Sequence, residues 1–575
     1  MGRFYFTPRY PSFITAALMP AADSTLIGST ARLHRRGRAS CLALLAALLA
    51  GPLQATAVDA LSLSATPAAS AMLRVHAISF SGNTVFSTRR LMAVANTYQD
   101  RDLRDADLQD LLRRLTDVYV QAGFSTSRAT LPDQDARDGV LHITIIEGFL
   151  EQIVVSGSHA LNPGEIAARL QIGLTTPLNL AVLNANLRLL MQEHGVANIH
   201  AELKPGKRRG GALLQVAVEE SARFSLGARV ANDRAPAVGG TRGAIEGSAH
   251  DVFGHGDTID LALGYAGGLD DVDFRISVPW SARGPELSLR YFRAVSELVE
   301  EQFKVLGAET KSHALDVGLT QEVWHDNYRQ IKLGANLLSK QSTSTLNGVP
   351  SSFSPGVEHG KADVKLVRLS AQWQERHAQD SLSARLAWSF GLGVLGATEH
   401  DDGQPDSRFH SAYLQLQWLH TWGPRAGLIY ARGDAQLASD GLLPLEKFSL
   451  GGANSVRGYR RSRFVRDDGW SASLEYRLPI FTLPLPGLSK RGPDGQVALV
   501  LFIDAGRAWN EYHDRIDTLD PPTTLLAAGP GLRWDIGADT RAEIAWGAIR
   551  RHVVDTQHDL QDLGLHFMIS AHQSF

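Results

Sequence analysis

The chain has 575 residues, with 57 lysines and arginines against 60 aspartates and glutamates and a hydrophobic share of 44%. It is too long for one ordinary domain, and past the N-terminal region no apolar run reaches the roughly 20 residues of a membrane helix, which excludes a helical membrane bundle. A barrel stays open, since strands that close on one another are the other way to satisfy backbone hydrogen bonds in lipid.

The N-terminus reads as a secretory leader over residues 1–57. Arg32, Arg35, Arg36 and Arg38 precede the apolar run 41–50, Gly51 and Pro52 break it, and Ala55-Thr56-Ala57 has the small-residue form of a cleavage site. The stretch before Arg32 is long for a leader, which leaves a downstream start open. Removal at Ala57 takes six basic residues and one acidic residue, so 51 and 59 remain and the net charge becomes −8. The single cysteine, Cys41, goes with it, so the mature chain has neither disulfides nor thiolate metal sites. A net acidic chain without a basic domain argues against nucleic acid as a partner.

Residues 58–73 are small and polar, with Pro67, and read as a linker. A pattern then occurs twice. In 74–148 the order is strand (74–80), turn at Ser81-Gly82-Asn83, helix (87–96), longer amphipathic helix (105–121), and strands at 127–131 and 140–146. The longer helix has Leu108, Leu111, Leu112, Leu115 and Val118 at spacings of three and four, and Gly123 ends it. Residues 149–220 repeat the order: strand 149–156, helix 163–170 with proline at its start, helix 178–194 closed by Gly195, and strands 199–203 and 212–218. Each pass predicts a small sheet covered on one face by two helices.

From Phe224 the period becomes two. Phe224, Leu226, Ala228 and Val230 alternate with polar or small residues, as do Ile259, Leu261, Leu263 and Tyr265, and the tight turn Gly254-His255-Gly256-Asp257 precedes the latter. From 222 to the end, 354 residues contain no helical stretch, which suits an outer-membrane barrel and exceeds the needs of a soluble sandwich. The final strand keeps one parity through Leu563, Leu565, Phe567, Ile569, Ala571 and Phe575.

Within this region, residues 451–468 form a long glycine-rich loop holding Val456-Arg457-Gly458-Tyr459, with Arg460, Arg461, Arg463 and Arg466 after it. A loop that only joins two strands needs two to five residues, so this one is expected to fold into the barrel. In 497–506, odd positions (Val497, Leu499, Leu501, Ile503, Ala505) are apolar and suit lipid. A carboxylate facing lipid is costly, so the even set (Val500, Phe502, Asp504, Gly506) faces the lumen, where Asp504 can meet Arg457. Arg432-Gly433-Asp434 spells an adhesion tripeptide but falls in a predicted strand and reads as chance.

Three stretches together resemble one family, the outer-membrane transporters of two-partner secretion that export haemolysins and filamentous adhesins. Residues 123–135 with Gly139 and Glu147-Gly148 are similar to its first periplasmic (POTRA) repeat. Val456-Arg457-Gly458-Tyr459 is similar to its inward loop tip, and Phe502-Ile503-Asp504-Ala505-Gly506 to a motif of its barrel wall. The resemblance implies two α+β POTRA repeats, at 74–148 and 149–220, and a transmembrane antiparallel barrel over 221–575. Sixteen strands fit the length, since 354 residues allow about 22 for each strand and connection, and a spanning strand uses about ten. It implies a monomeric pore in the outer membrane lipid of a Gram-negative bacterium, with POTRA repeats in the periplasm that capture an unfolded exoprotein client. The loop lock would involve Val456, Arg457, Gly458, Tyr459, Phe502, Asp504 and Gly506, and the client would meet Ser127, Arg128, Leu131 and Pro132 in the first repeat. Many family members begin with a pore-plugging helix. Here 58–73 are too few, because crossing about 30 Å takes about 20 helical residues.

No G-x-S-x-G, H-E-x-x-H or P-loop occurs, and the 20 histidines show no ligand pair on a helix face, so no enzyme, cofactor or metal is expected. A barrel-assembly insertase is the alternative reading, though such proteins carry more POTRA repeats. A passive porin or receptor leaves the repeats unexplained.

Overall fold

The computed structural model describes residues 3–6 and 72–575, apart from 160, 192–194, 282–283, 327, 424, 487–488, 490–493, 512–522, 538 and 550–558. Apart from 3–6, the expected leader lies outside the described residues, as do positions 58–71 of the linker.

The first α/β unit has helices α1 (Thr88–Ala95) and α2 (Asp105–Gln121) over a sheet in which Ala77–Ser81 runs parallel to Val140–Ile146, itself antiparallel to Arg128–Thr130. Leu91, Leu111, Leu115 and Tyr119 pack on Ile78, Leu141, Ile143 and Ile145, all buried. The single strand expected at 74–80 is two. Leu73–Val75 leaves the sheet to pair with Arg101–Leu103, and the chain turns at His76, whose N–H is bonded to Gly139.

The second unit repeats the topology with α3 (Pro163–Leu170), α4 (Leu180–Leu190) and strands Phe149–Ser156, Gly211–Glu220 and Val196–Pro205. Asn162 and Asn179 cap the two helices through their side-chain oxygens. Helix α4 is shorter than the predicted 178–194, of which 192–194 lie outside the described residues. The strand predicted at 199–203 extends to ten residues, and Arg3–Phe6 pairs antiparallel along its outer edge.

The two units are joined by backbone. Leu178 N–H donates to Gly148 O at 2.7 Å and Leu180 N–H to Gly123 O at 2.9 Å, and the Asn179 amide reaches Ala122 O. Gly123, at φ +92°, has no room for a side chain against Asn179. The second unit meets the barrel through a turn: Arg169 donates to His255 O at 3.1 Å, and Glu165 lies 3.2 Å from the His255 ring.

The rest closes into a sixteen-stranded antiparallel barrel. Its strands are β1 (Phe224–Ala231), β2 (Arg242–His250), β3 (Thr258–Ala266), β4 (Leu269–Pro279), β5 (Glu286–Glu297), β6 (Ala308–His325), β7 (Arg329–Leu346) and β8 (Lys361–Arg376). They continue as β9 (Asp380–Leu392), β10 (His410–Gly423), β11 (Gly427–Ala438), β12 (Asp468–Thr482), β13 (Gln496–Trp509), β14 (Thr523–Ile536), β15 (Thr540–Trp546, resuming at Ala548–Ile549) and β16 (Leu565–Ser574). Each pairs with the next, and β16 returns to β1 from Ser225↔Ser574 to Ala231↔Met568. The α/β units sit at the near rim, and the long crossings, including 439–467 between β11 and β12, leave from the far rim.

Parity sorts the wall as expected. Leu501 and Ile503 are half exposed on the outside while Val500, Phe502 and Asp504 are buried inside; Val497 is covered between its ladder partners Phe481 and Trp534. Trp324, Tyr328, Trp373, Trp418 and Trp422 point outward near the rim that carries the α/β units, a girdle of the kind found at a membrane interface.

Candidate functional site: a loop held inside the barrel

The crossing 439–467 turns into the lumen. A short hairpin of Phe448–Leu450 with Phe464–Arg466 forms its neck, and Val456 to Tyr459 form its tip. The inward segment is longer than the glycine pattern marks, because its first arm, from Leu442, is already buried.

Arg457 is 5% exposed. Its backbone N–H and Nε both donate to Asp504 Oδ2, at 3.0 and 2.8 Å, and Nη2 donates to Asp504 Oδ1 at 2.8 Å. Nη1 donates to Glu475 Oε1 at 2.7 Å and Nη2 to Ser473 Oγ at 2.9 Å. The guanidinium also lies 3.7 Å over the Phe502 ring. A planar fork satisfied on every edge and stacked on an aromatic face is work for arginine and not for lysine. Asp504 is fully buried, so the ion pair holds each charge in a place where neither would stay alone.

Each remaining motif residue acquires a physical reason. Gly506 leaves the space that Leu450 and Val456 fill, since a Cβ there would lie 2.5 Å from Leu450. Gly458 takes φ +89°, and its Cβ would strike Gly547 O at 2.6 Å, so the tip rests on bare backbone where β15 is interrupted. Gly458 N–H donates to the His566 ring, and Tyr459 OH donates to Leu526 O. Val456, Tyr459, Leu450 and Phe448 pack with Ala508, Leu525 and Ala527 of the wall. Beyond the tip, Arg460 forks onto Asp562 and reaches Glu300 at 2.9 Å, while Arg461 N–H is bonded to Gln561.

Thus Val456, Arg457, Gly458, Tyr459, Phe502, Asp504 and Gly506 come together in one place. Glu475, Ser473 and His566 were missed, although wall parity signals them: Glu475 and Ser473 alternate with outward Trp470 and Leu474, and His566 with Leu565 and Phe567. The tripeptide 432–434 lies inside β11, with Asp434 accepting from Tyr413 and Gln415 and Arg432 donating to Asn454 O.

The four residues expected to meet a client do not form one surface. Ser127 is 2% exposed, and its Oγ accepts from Gly148 N–H at 3.0 Å, so it is a joint within the unit and not a surface residue. Arg128 and Leu131 are exposed and Pro132 is half-buried. In the same unit Glu147 accepts from Thr84 N–H (2.7 Å), Val85 N–H (3.1 Å), Tyr119 OH (2.9 Å) and the Thr84 hydroxyl. Burial pushes its pKa up, but these donors hold it below the ordinary carboxylate value.

A closed barrel carrying α/β units at one rim and an arginine-tipped loop in its lumen defines an outer-membrane transport barrel with periplasmic domains. Residues 210–534 match the family of haemolysin secretion/activation proteins ShlB/FhaC/HecB, and residues 73–148 match the ShlB-type POTRA domain. The chain belongs to this family, the outer-membrane transporters of two-partner secretion, which export a partner exoprotein. It is similar to the outer membrane transporter CdiB of Dickeya dadantii (strain 3937), 22% identical over 76% of each chain, and to the hemolysin transporter protein ShlB of Serratia marcescens, 23% identical over 71% of this chain and 72% of that one. Among solved structures, CdiB from Escherichia coli superposes with a TM-score of 0.66 at 18% identity over 90% of this chain and 93% of that one. BamA from Haemophilus ducreyi lacking POTRA domains 1–3 superposes with 0.52 at 12% identity, over 87% and 100%. The CdiB of Dickeya dadantii and the ShlB of Serratia marcescens are named as transporters. The POTRA end of this chain faces the periplasm and the far rim faces outward.

Proposed function

We propose that this transporter takes its client in the periplasm as an added strand on the second α/β unit, and that the Arg457 loop lock guards the path through the barrel. The observation that carries the first part is the ten-residue edge Val196–Pro205, on which Arg3–Phe6 of the expected leader pair antiparallel, so that cleavage after Ala57 would leave the edge open to a client. Backbone pairing on such an edge binds an unfolded chain with little demand on its sequence. The corresponding edge of the first unit is three residues long, and the Ala129 N–H there is already bonded to the Thr116 hydroxyl, so it offers little to pair with. The outward apolar wall and its aromatic girdle suit lipid, and one chain closes the barrel, which supports a monomer.

The test is secretion in cells from the full-length protein. A proline that removes an outward N–H between Ile199 and Glu202 takes a donor from this edge. Client export should fall at least tenfold while the barrel still assembles, and the same change at Ala129 should have little effect on export. Export at the normal level with the edge proline would refute strand addition here.

A further inference from the structure

The loop is held at a second place, across the lumen from its tip. Its first arm, 442–447, enters beside β6, β7 and β8. Leu442 and Leu443 are fully buried and Leu445 nearly so, against Leu338, Val364, Leu366 and Phe409. Next to this apolar contact Glu446, 5% exposed, ends between two cations of the wall: Lys340 Nζ on β7 is 2.5 Å from Oε1, and Arg368 Nη2 on β8 donates to Oε2 at 2.8 Å. Lys340 also donates to Leu445 O, and Arg368 is steadied by Ser389 Oγ on β9. Gln436 on β11 ties the two arms by donating to both Glu446 O and Asp467 O at 2.9 Å. The side-chain and backbone bonds of Arg457, Gly458 and Tyr459 run to the other side, to β12, β13, β14 and β16.

We propose that Glu446 is the positioning residue of the gate: it pins the first arm across the β6–β9 half of the lumen, and the pore opens when this arm leaves Lys340 and Arg368 while Arg457 stays on Asp504. The two anchors differ in kind. Arg457 is held through five hydrogen bonds and a ring face, including its own backbone N–H, so the tip is fixed in all directions. The Glu446 side chain is held through its carboxylate alone and the arm's backbone by single bonds from Lys340 and Gln436, and the leucines beside it lie in a cradle that an extended apolar segment of a passing chain can fill in their place. This inference rests on the reading of the barrel as a secretion pore, yet its first test needs no client.

Purified full-length protein in planar bilayers provides that test. Glu446→Gln should raise the time-averaged conductance severalfold. Exchanging the charges, Glu446→Lys with Lys340→Glu, should restore the low wild-type level, because the new carboxylate still lies between a lysine and Arg368. Unchanged conductance in Glu446→Gln, or conductance that stays raised in the charge exchange, would overturn the proposal. Should Glu446→Gln lose its heat-resistant gel mobility, a reversible cross-link decides instead. The chain's single cysteine, Cys41, lies in the leader stretch, so Glu446→Cys with Lys340→Cys forms a clean pair. Export should stop when the pair is oxidised and return on reduction. Export that continues through the oxidised pair would show that the arm does not move. Conductance changes as expected, together with normal export by the edge-proline variant of the second unit, would refute the client reading and leave the gate standing.

Discussion

At Arg457 the surroundings decide how the two partners differ under mutation. Asp504→Ala leaves the guanidinium with Glu475, Ser473 and Phe502, whereas Arg457→Ala strands the fully buried Asp504, Glu475 keeping Arg477. Breaking a buried pair costs about 3–5 kcal/mol and an exposed one about 0–1. A lumen reached by water lies between these, enough to free a loop and too little to unfold the barrel. Both variants should therefore remain heat-resistant on gels, with export reduced more by Arg457→Ala. The double variant should match Arg457→Ala, because one interaction is removed in each case; losses that multiply would mean two independent roles. Glu147 makes a residue-scale prediction in pH. Its folded pKa lies below the unfolded value of about 4.3, so its contribution is complete above that value and is lost as pH falls through the lower, folded one. Hydrogen exchange across residues 74–148 should accelerate in this acid range. Glu147→Gln should be less protected at neutral pH and show a flatter acid dependence; an unchanged slope would assign the acid sensitivity to other groups.

The loop tip, as an element, depends on bare wall. A Cβ on Gly547 would lie 2.7 Å from Gly458 N and 2.8 Å from Arg457 C, so Gly547→Ala should displace the tip while leaving Asp504 and its strand untouched. Export should fall towards the level of Arg457→Ala, and a second-site gain of space near Gly458 should not be needed for assembly. Normal export would mean that the tip rides up without losing its lock. This contact also shows why the site was only partly legible in the sequence. Arg457 and Asp504 could be matched because a carboxylate in a strand bordered by lipid has one tolerable face. Gly547, Lys340, Arg368 and Glu446 carry no such local sign. Their meaning comes from contacts about a hundred residues apart between a loop and a wall, and an arm such as Leu442 to Lys447 has the same local pattern whether it is buried or not. The barrel itself was legible because lipid forces period two. The strand ends were not, since β6 and β7 continue into polar stretches such as Ser342-Thr343-Ser344 beyond any apolar band. In the first unit, the break at His76 shows in the sequence only as a change of parity, from Val75 to Ile78 and Phe80, which the small Ala77 between them masks.

For the whole molecule, the two α/β units are bonded backbone to backbone and should move as one body, while their hold on the barrel at Glu165, Arg169 and His255 is slight. Spin labels on the second unit and on the barrel rim should report a broader distance distribution in Arg169→Ala than in the wild type, and labels on the two units should report no change. Broadening between the units would contradict the joint through Gly123 and Gly148. The wall that these units meet is lopsided. β1, β2 and β3 have 8, 9 and 9 residues, and β6 and β7 have 18 each. At about 3.4 Å per residue and a tilt of about 45°, eight residues rise only about 19 Å, short of the roughly 25 Å apolar band of such barrels. On β1 that band consists of Phe224, Leu226, Ala228 and Val230. Lipid beside the closing seam therefore has too little wall to cover it. The acyl chains there must splay and the leaflets draw together, so the protein carries a dimple of thinned, disordered bilayer along one side.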